Sequence, residues 1–332
     1  MQITKNIEES ISKVKRIFSD ELSERLNLIK VEAPLIVEKG TGINDDLNGT
    51  ERPVSVSIKD LSNKQVEIVH SLAKWKRFKL GQMGIEENRG LYTDMRALRP
   101  DEDLSDVHSV YVDQWDWEQV IGKENRTLET LKNTVKEIYD SIRHTEMVVE
   151  MYYGIERILP KEINFIHTED LIESYPTLTP KERENEITKQ YGAVFLIGIG
   201  GELIGGEPHD GRAPDYDDWS TPTSTKYKGL NGDILVWNPV LNRAFEISSM
   251  GIRVDENTLD KQLTISKQDQ RRNLAWHKDL LEGKLPQSIG GGIGQSRLCM
   301  FLLRKQHIGE VQSGVWSDEI RENALSKGIN LL

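Results

Sequence analysis

Apolar residues first recur at helical spacing. Ile3, Ile7, Ile11, Val14, Phe18, Leu22 and Leu26 fall every three or four residues, which predicts one face of a long helix over 3–26. Residues 28–37 then read as a strand. Pro34 removes a donor within it, so that strand should lie at an edge or bulge, or end there. Residues 40–49, rich in Gly, Asn and Asp, read as a loop. Residues 54–58 alternate as a half-buried strand, with 66–69 as its neighbour. Leu128, Leu131, Val135, Ile138, Ile142 and Val149 predict a second long helix over 127–158. Residues 192–201 read as a buried strand ending in glycines, 233–240 and 244–247 as two strands joined by a turn, and 267–282 as a charged helix. Strands pair locally and do not alternate strictly with helices. The pattern therefore predicts an α+β fold, an antiparallel β-sheet flanked by helices, in one domain over 1–332.

Two segments depart from ordinary core patterning. Gly290, Gly291, Gly292 and Gly294 run into Arg297, which opens an apolar helical segment over 298–303. Glycine allows close backbone approach, a helix start offers unpaired N–H groups, and a guanidinium suits a polyphosphate. The P-loop spacing is absent from the chain, and the dinucleotide fingerprint is not met. The residues alone fit either a phosphate site or a glycine turn leading into a core helix. The second segment starts at Arg99, continues through the acidic run 101–103, and becomes a strand in which Val110, Val112 and Gln114 alternate with Tyr111, Asp113 and Trp115. Strands are stiff platforms for sites. Trp115 and Trp117 read as packing on opposite faces of that strand.

Charge and composition narrow the function. The 332 residues include 43 basic and 54 acidic ones, a net charge of −11, which disfavours a general nucleic-acid binder. The single cysteine, Cys299, excludes a disulfide framework or zinc cluster within the chain. No signal-peptide core and no membrane-length apolar run occur, so a soluble cytoplasmic protein with no membrane or nucleic-acid partner is expected.

The order of segments carries a resemblance. Residues 99–118 resemble motif 2 of the class II aminoacyl-tRNA synthetases, a strand ending in Arg, an acidic loop and a polar strand. Residues 290–303 resemble their motif 3, and the helix 3–26 running into Pro34 resembles motif 1, which forms dimers. With flanks, the three span 3–37, 92–118 and 288–304. Within that superfamily the runs His70-Ser71-Leu72-Ala73-Lys74-Trp75-Lys76-Arg77, Tyr111 to Glu118, Arg212 to Trp219 and Ser248 to Val254 resemble the ammonia-dependent asparagine synthetases, the aspartate–ammonia ligase family. The resemblance covers essentially the whole chain.

That resemblance implies a class II synthetase-like catalytic core, ATP, aspartate and ammonia as substrates, a β-aspartyl-adenylate intermediate, and AMP and pyrophosphate as products. It implies roles as well. Arg99 would bridge the α-phosphate and the activated carboxylate, and Arg297 would hold the terminal phosphates. Asp45, in a loop that includes Asp46, would attract ammonium and accept a proton with Gln114 beside it. Lys76 and Arg253 would hold the aspartate α-carboxylate, and Asp217 its ammonium. Ser109, Asp116, Arg212, Ser248 and Ser249 would contact AMP, and His108 matches a loop position near ATP. Asp233 and Glu246 would hold Mg²⁺. Blander roles stay open: Asp233 and Glu246 as solvated strand carboxylates, Lys76 as one charge of a basic helix, Asp46 as a turn residue, Ser249 as a turn cap. A homodimer through the first helix is expected.

Cys299 sits between Leu298 and Met300 in the apolar segment, where a buried inert thiol is expected. A glutamine-using enzyme needs an activated thiolate, so free ammonia is the expected nitrogen donor. Two rivals are a true synthetase for aspartate or asparagine and an inactive amino-acid-binding relative. The acidic charge and the short stretch after Arg297 disfavour the first. The retained Arg99, Arg297, Asp233 and Glu246 disfavour the second.

Overall fold

The structure, a computed structural model, describes residues 2–45 and 51–332. Residues 46–50, which include Asp46 and the end of the expected 40–49 loop, lie outside the described residues.

Eleven strands are described: β1 (Leu28–Lys30), β2 (Ile36–Glu38), β3 (Ser55–Ile58), β4 (Lys64–Ile68), β5 (Gly90–Leu98), β6 (Tyr111–Val120), β7 (Asn164–His167), β8 (Ala193–Ile197), β9 (Asn231–Asn238), β10 (Arg243–Ile252) and β11 (Ser288–Gly294). The described helices are α1 (Gln2–Arg25), α2 (Ala73–Met83), α3 (Leu128–Tyr153), α4 (Thr168–Ser174), α5 (Pro180–Tyr191), α6 (Glu256–Ile265), α7 (Ala275–Leu281), α8 (Gln295–Leu302) and α9 (Asp318–Ser326). Eight strands form the main sheet in the order β1-β5-β6-β11-β10-β9-β8-β7, and β2-β4-β3 form a small second one.

The main sheet is mixed, which corrects the antiparallel expectation. Its six central strands pair antiparallel, but β1 runs parallel to β5 and β7 parallel to β8. Parallel neighbours need a long crossover. The segment carrying the small sheet and α2 supplies one, and α4 with α5 supplies the other. The expected 28–37 strand is split: β1 ends at Lys30 on the edge of the main sheet, β2 begins at Ile36 in the small sheet, and Pro34 lies in the break between them.

Both long helices form as their spacing predicts. α1 buries Val14, Phe18 and Leu22, and α3 buries Leu131, Val135, Ile138 and Ile142, all in one core with Trp115 and Trp117. The Phe18 and Trp115 rings lie 4.5 Å apart. The two tryptophans therefore share a face, contrary to the opposite-face expectation, because residues two apart in a strand point the same way. Strand β3 also differs. It is largely exposed, with Val56 at 44%, since it is the outer strand of a three-stranded sheet. Over 267–282 the chain forms a short 3₁₀ turn and then α7, not one helix.

Candidate active site

Strand β6 separates core from site by its period of two. Trp115 and Trp117 enter the helical core, while Gln114, Asp116 and Glu118 take the other face. A cavity of about 460 Å³ opens there, lined by Gln114 and Asp116 together with β10, β11 and the loops around them.

The glycine cluster is the reason these side chains fit. Gly290 lies opposite Glu118 in β11, and a methyl group there would stand 1.9 Å from Glu118 Oε2. A methyl at Gly292 would stand 2.4 Å from Gln114 Oε1, and one at Gly291 would stand 2.5 Å from Met250 Cβ. The cluster is thus a strand, not a turn, and its missing side chains make room for neighbouring ones. The start of α8 is also partly used. Ser296 N donates to Asp113 Oδ1 at 3.0 Å, so a carboxylate from β6 takes one of the N–H groups that a helix start offers to an anion.

The floor is a closed ionic network. Lys76, buried on α2, donates to the Asp116 carboxylate, to Trp117 O at 3.0 Å and to Gly291 O at 2.9 Å. An ammonium has three N–H groups, and all three are engaged. Burial pulls the Lys76 pKa down, against the raising charges of Asp116 and Glu118. Glu118 accepts from Arg253 Nε at 3.0 Å, Arg253 Nη2 at 2.8 Å and Ser288 Oγ at 2.7 Å. Burial pushes Glu118 up, but Arg253 and Lys76 outweigh it and hold the carboxyl low. Arg253 also donates through Nη1 to Asp217. The guanidinium still keeps N–H groups beyond these. Asp116 Oδ2 is buried without a hydrogen-bond partner among the described residues.

One rim is formed by Arg99, His70, Ser71 and Asp45. Arg99 follows β5, and its backbone N donates to Val110 O at 2.8 Å, which closes the hairpin to β6. Its Nη2 donates to His70 O at 3.3 Å, while its Nε is buried with no hydrogen-bond partner among the described residues. Asp45 is buried and accepts from Ser71 Oγ at 3.0 Å. Ser109 donates to Gln312 Oε1 at 2.6 Å.

The other rim carries Arg212, Arg297, Asp233 and Glu246. Arg212 Nη2 donates to Asp233 Oδ1 at 2.6 Å, and Nη1 bonds Ser249 Oγ. Arg297 Nη1 donates to Glu246 O at 3.2 Å and lies 3.6 Å from Glu246 Oε2. Burial and the Glu246 charge push Asp233 up to about 6, although Arg212 opposes them. Glu246 is held low because Arg297, Lys181 and Arg212 outweigh its burial. Burial, then Arg297, lowers His108 to about 4, so its ring is neutral near pH 7.

Of the fourteen residues singled out in the sequence, eleven line this one cavity: Asp45, Arg99, Ser109, Gln114, Asp116, Arg212, Asp217, Glu246, Ser249, Arg253 and Arg297. Lys76, Ser248 and Asp233 stand outside that lining. Ser248 Oγ instead donates to Gly292 O at 3.0 Å, joining β10 to β11.

Sequence reasoning passed over several residues that hold the site. Asp215 Oδ2 receives Lys74 at 3.1 Å, Arg271 at 2.8 Å and His277 at 2.9 Å. Burial raises this carboxyl, yet Lys74 and His277 pull it well below its usual range. The cluster ties α2 and α7 to the loop carrying Arg212 and Asp217. Asp113 receives Lys15 of α1 at 2.8 Å as well as Ser296. Acidic residues in the 215–218 run were visible, but partners as far apart as Asp215 and His277 leave no local pattern. Cys299 is buried, and burial pushes its thiol up to about 12, so it offers no thiolate.

Similarity to known proteins agrees with this architecture. Asparaginyl-tRNA synthetase from Pyrococcus horikoshii, complexed with asparaginyl-adenylate, superimposes with a TM-score of 0.68 at 15% identity, over 92% of this chain and 68% of that one. The Entamoeba histolytica asparaginyl-tRNA synthetase gives 0.66 at 14% identity, over 93% and 66%. The fold is that of the class II aminoacyl-tRNA synthetase catalytic core. The particular family is set by sequence. The aspartate-ammonia ligase profile (AsnA) matches residues 5–328, and an aspartate–ammonia ligase of Parabacteroides distasonis is 58% identical over 326 residues, 98% of this chain and 94% of that relative. The chain belongs to the aspartate–ammonia ligase family, ATP-dependent C–N ligases that make asparagine from aspartate.

Proposed function

We propose that the cavity joins aspartate to ATP as a β-aspartyl-adenylate and then gives the activated carbonyl to free ammonia. The observation that carries this is Arg99: a cation on the cavity whose buried Nε has no hydrogen-bond partner among the described residues, with a second cation, Arg297, lining the same cavity. The first step brings two anions together. The aspartate β-carboxylate attacks the α-phosphorus, and pyrophosphate leaves. Arg99 neutralises both partners at that point, and Arg297 draws the terminal phosphates away from it. Holding the reactants in line supplies roughly 7–11 kcal/mol of the barrier. The similarly folded P. horikoshii enzyme is complexed with asparaginyl-adenylate, an acyl-adenylate of the same chemical class, which supports an adenylate here.

The floor orients the aspartate. Arg253 uses its remaining N–H groups on the α-carboxylate, and Asp217 beside it receives the ammonium. Lys76 acts one layer behind, by holding Asp116. Ser109, Arg212 and Ser249 face the AMP moiety, with Ser248 bracing the strand behind them. In the second step Asp45 and Gln114 receive the incoming nitrogen. The unreactive Cys299 thiol supports ammonia rather than glutamine as donor.

Asp233 and Glu246 fit the magnesium that accompanies ATP. Each carboxylate repels the other, which is part of why Asp233 is pushed up to about 6, and a divalent cation relieves that repulsion. Among the described residues no cluster of three or more His, Cys, Asp and Glu could hold a metal, so phosphate and water oxygens would supply the remaining ligands of an ion held by these two carboxylates. When bound, the ion neutralises phosphate charge. Homodimerisation is part of the same proposal. Leu35 and Ile36 beside Pro34 are 56% and 43% exposed, an apolar stretch next to the first helix and strand. Sedimentation should give a dimer. No helix among the described residues is long and apolar enough to cross a membrane, and a single unoxidised thiol suits the cytoplasm.

The adenylate is tested by aspartate-dependent exchange of labelled pyrophosphate into ATP without ammonia. Exchange is expected; its absence while asparagine is still made would exclude the intermediate.

A further inference from the structure

Converting ammonium and the adenylate to asparagine and AMP releases two protons. One leaves ammonium before its lone pair can attack. The other leaves nitrogen after the C–N bond has formed, as the bond from carbon to the AMP oxygen breaks and AMP takes the electron pair. Asp45 can accept one of them. His70 stands where a second acceptor is needed. Its ring is fully buried, it lines the cavity, and its carbonyl accepts from Arg99 while its backbone N donates to Asn44 Oδ1 at 3.0 Å. Nδ1 lies 3.1 Å from the Asp45 backbone carbonyl. A carbonyl oxygen only accepts, so Nδ1 carries the hydrogen in that contact. The neutral ring therefore has its lone pair on Nε2, the atom that is buried and without a hydrogen-bond partner among the described residues.

We propose that His70 is a further catalytic residue. In this reading its Nε2 binds the incoming ammonium and removes the first proton, leaving Asp45 to take the second. The inference rests on the adenylate reading above, since it assigns a base to that intermediate's second step. Among the described residues, the charged residues that His70 meets are Arg99, which donates to its carbonyl, Asp101, whose charge interacts with the ring, and Asp45, whose backbone carbonyl accepts from Nδ1. An unpaired buried nitrogen costs stability unless something fills it, and ammonium, a pure donor, is the substrate that matches a bare acceptor.

Two variants separate proton transfer from support. His70→Asn places an amide near Nδ1, which keeps the donor to the Asp45 carbonyl and deletes Nε2. His70→Gln places an amide near Nε2, which can accept a hydrogen bond but cannot take a proton. Ammonia-dependent synthesis should fall about 100-fold or more in both, with pyrophosphate exchange falling far less. The deficit should shrink as pH rises and free ammonia replaces ammonium. Unchanged synthesis in either variant overturns the inference, as does an equal loss of exchange and synthesis, which would make the ring a support. Absence of exchange in the unmodified enzyme would instead remove the adenylate reading itself, and the inference with it.

Discussion

Lys76, one layer beneath the floor of the cavity, and Arg99 on its rim are both cations of one site, yet they are used differently. Lys76 is buried and donates three hydrogen bonds to protein acceptors. Arg99 is half-buried, and among the described residues its side chain donates one long bond, with Nε left over. A cation whose donors are all engaged holds other residues in place, whereas one with spare donors is poised for a ligand. By this measure Lys76, Glu118 and Asp215 build the site, and Arg99, His70 and Asp116 Oδ2 meet what enters it.

The largest expected effect lies on the floor. Lys76→Met leaves Asp116 and Glu118 buried without their ammonium and should cost roughly 3–5 kcal/mol of stability in urea unfolding. An unshifted midpoint would move Lys76 from scaffold to ligand contact and erase the contrast. Arg99→Ala should show the reverse. Synthesis should fall about 100-fold or more, equivalent to roughly 2.7–4 kcal/mol of transition-state stabilisation, with little change in the unfolding midpoint. Near-normal turnover in the folded variant would defeat the role given to Arg99.

Asp113 lies between these extremes, since it holds α8, which carries Arg297. Asp113→Ala removes the acceptor of the Ser296 N–H and should cost about 1 kcal/mol, as loss of a helix cap does, and raise the KM for ATP more than it lowers kcat. The reverse split would mean that α8 keeps its place without Asp113. The smallest effect is a pH dependence. The Asp233 pKa is raised from 3.8 to about 6, so the folded protein binds this proton more tightly than the unfolded chain does. Its contribution to stability is therefore complete below 3.8 and is lost as pH rises through about 6. Asp233→Asn should flatten the stability profile in that window, and an unaltered profile would place the titration elsewhere.

Much of the fold could be read along the chain. The helices α1 and α3, the β9–β10 pair and the break at Pro34 between β1 and β2 all come from local rules: helical spacing, alternation and a missing donor. The parallel edges of the sheet could not, because a crossover partner is chosen by what packs over the connection. The site was legible as residue types, and eleven of the fourteen nominated residues share one cavity. The functions of the glycines were not. Gly290 and Gly292 answer to Glu118 and Gln114 on another strand, and no local pattern records that clash.

The sequence by itself determined the helical and strand periodicities, the order of the three motif-like segments, and the lack of a second cysteine for thiol chemistry. These depend on neighbours three, four or two residues away, or on composition. The tertiary structure alone decided which donors of these cations are engaged, that Asp113 takes an N–H at the start of α8, and that the buried His70 Nε2 has no hydrogen-bond partner among the described residues. Those outcomes depend on partners brought together by the fold, such as Lys76 with Gly291 and Asp113 with Ser296, whose distance along the chain carries no signal of their meeting.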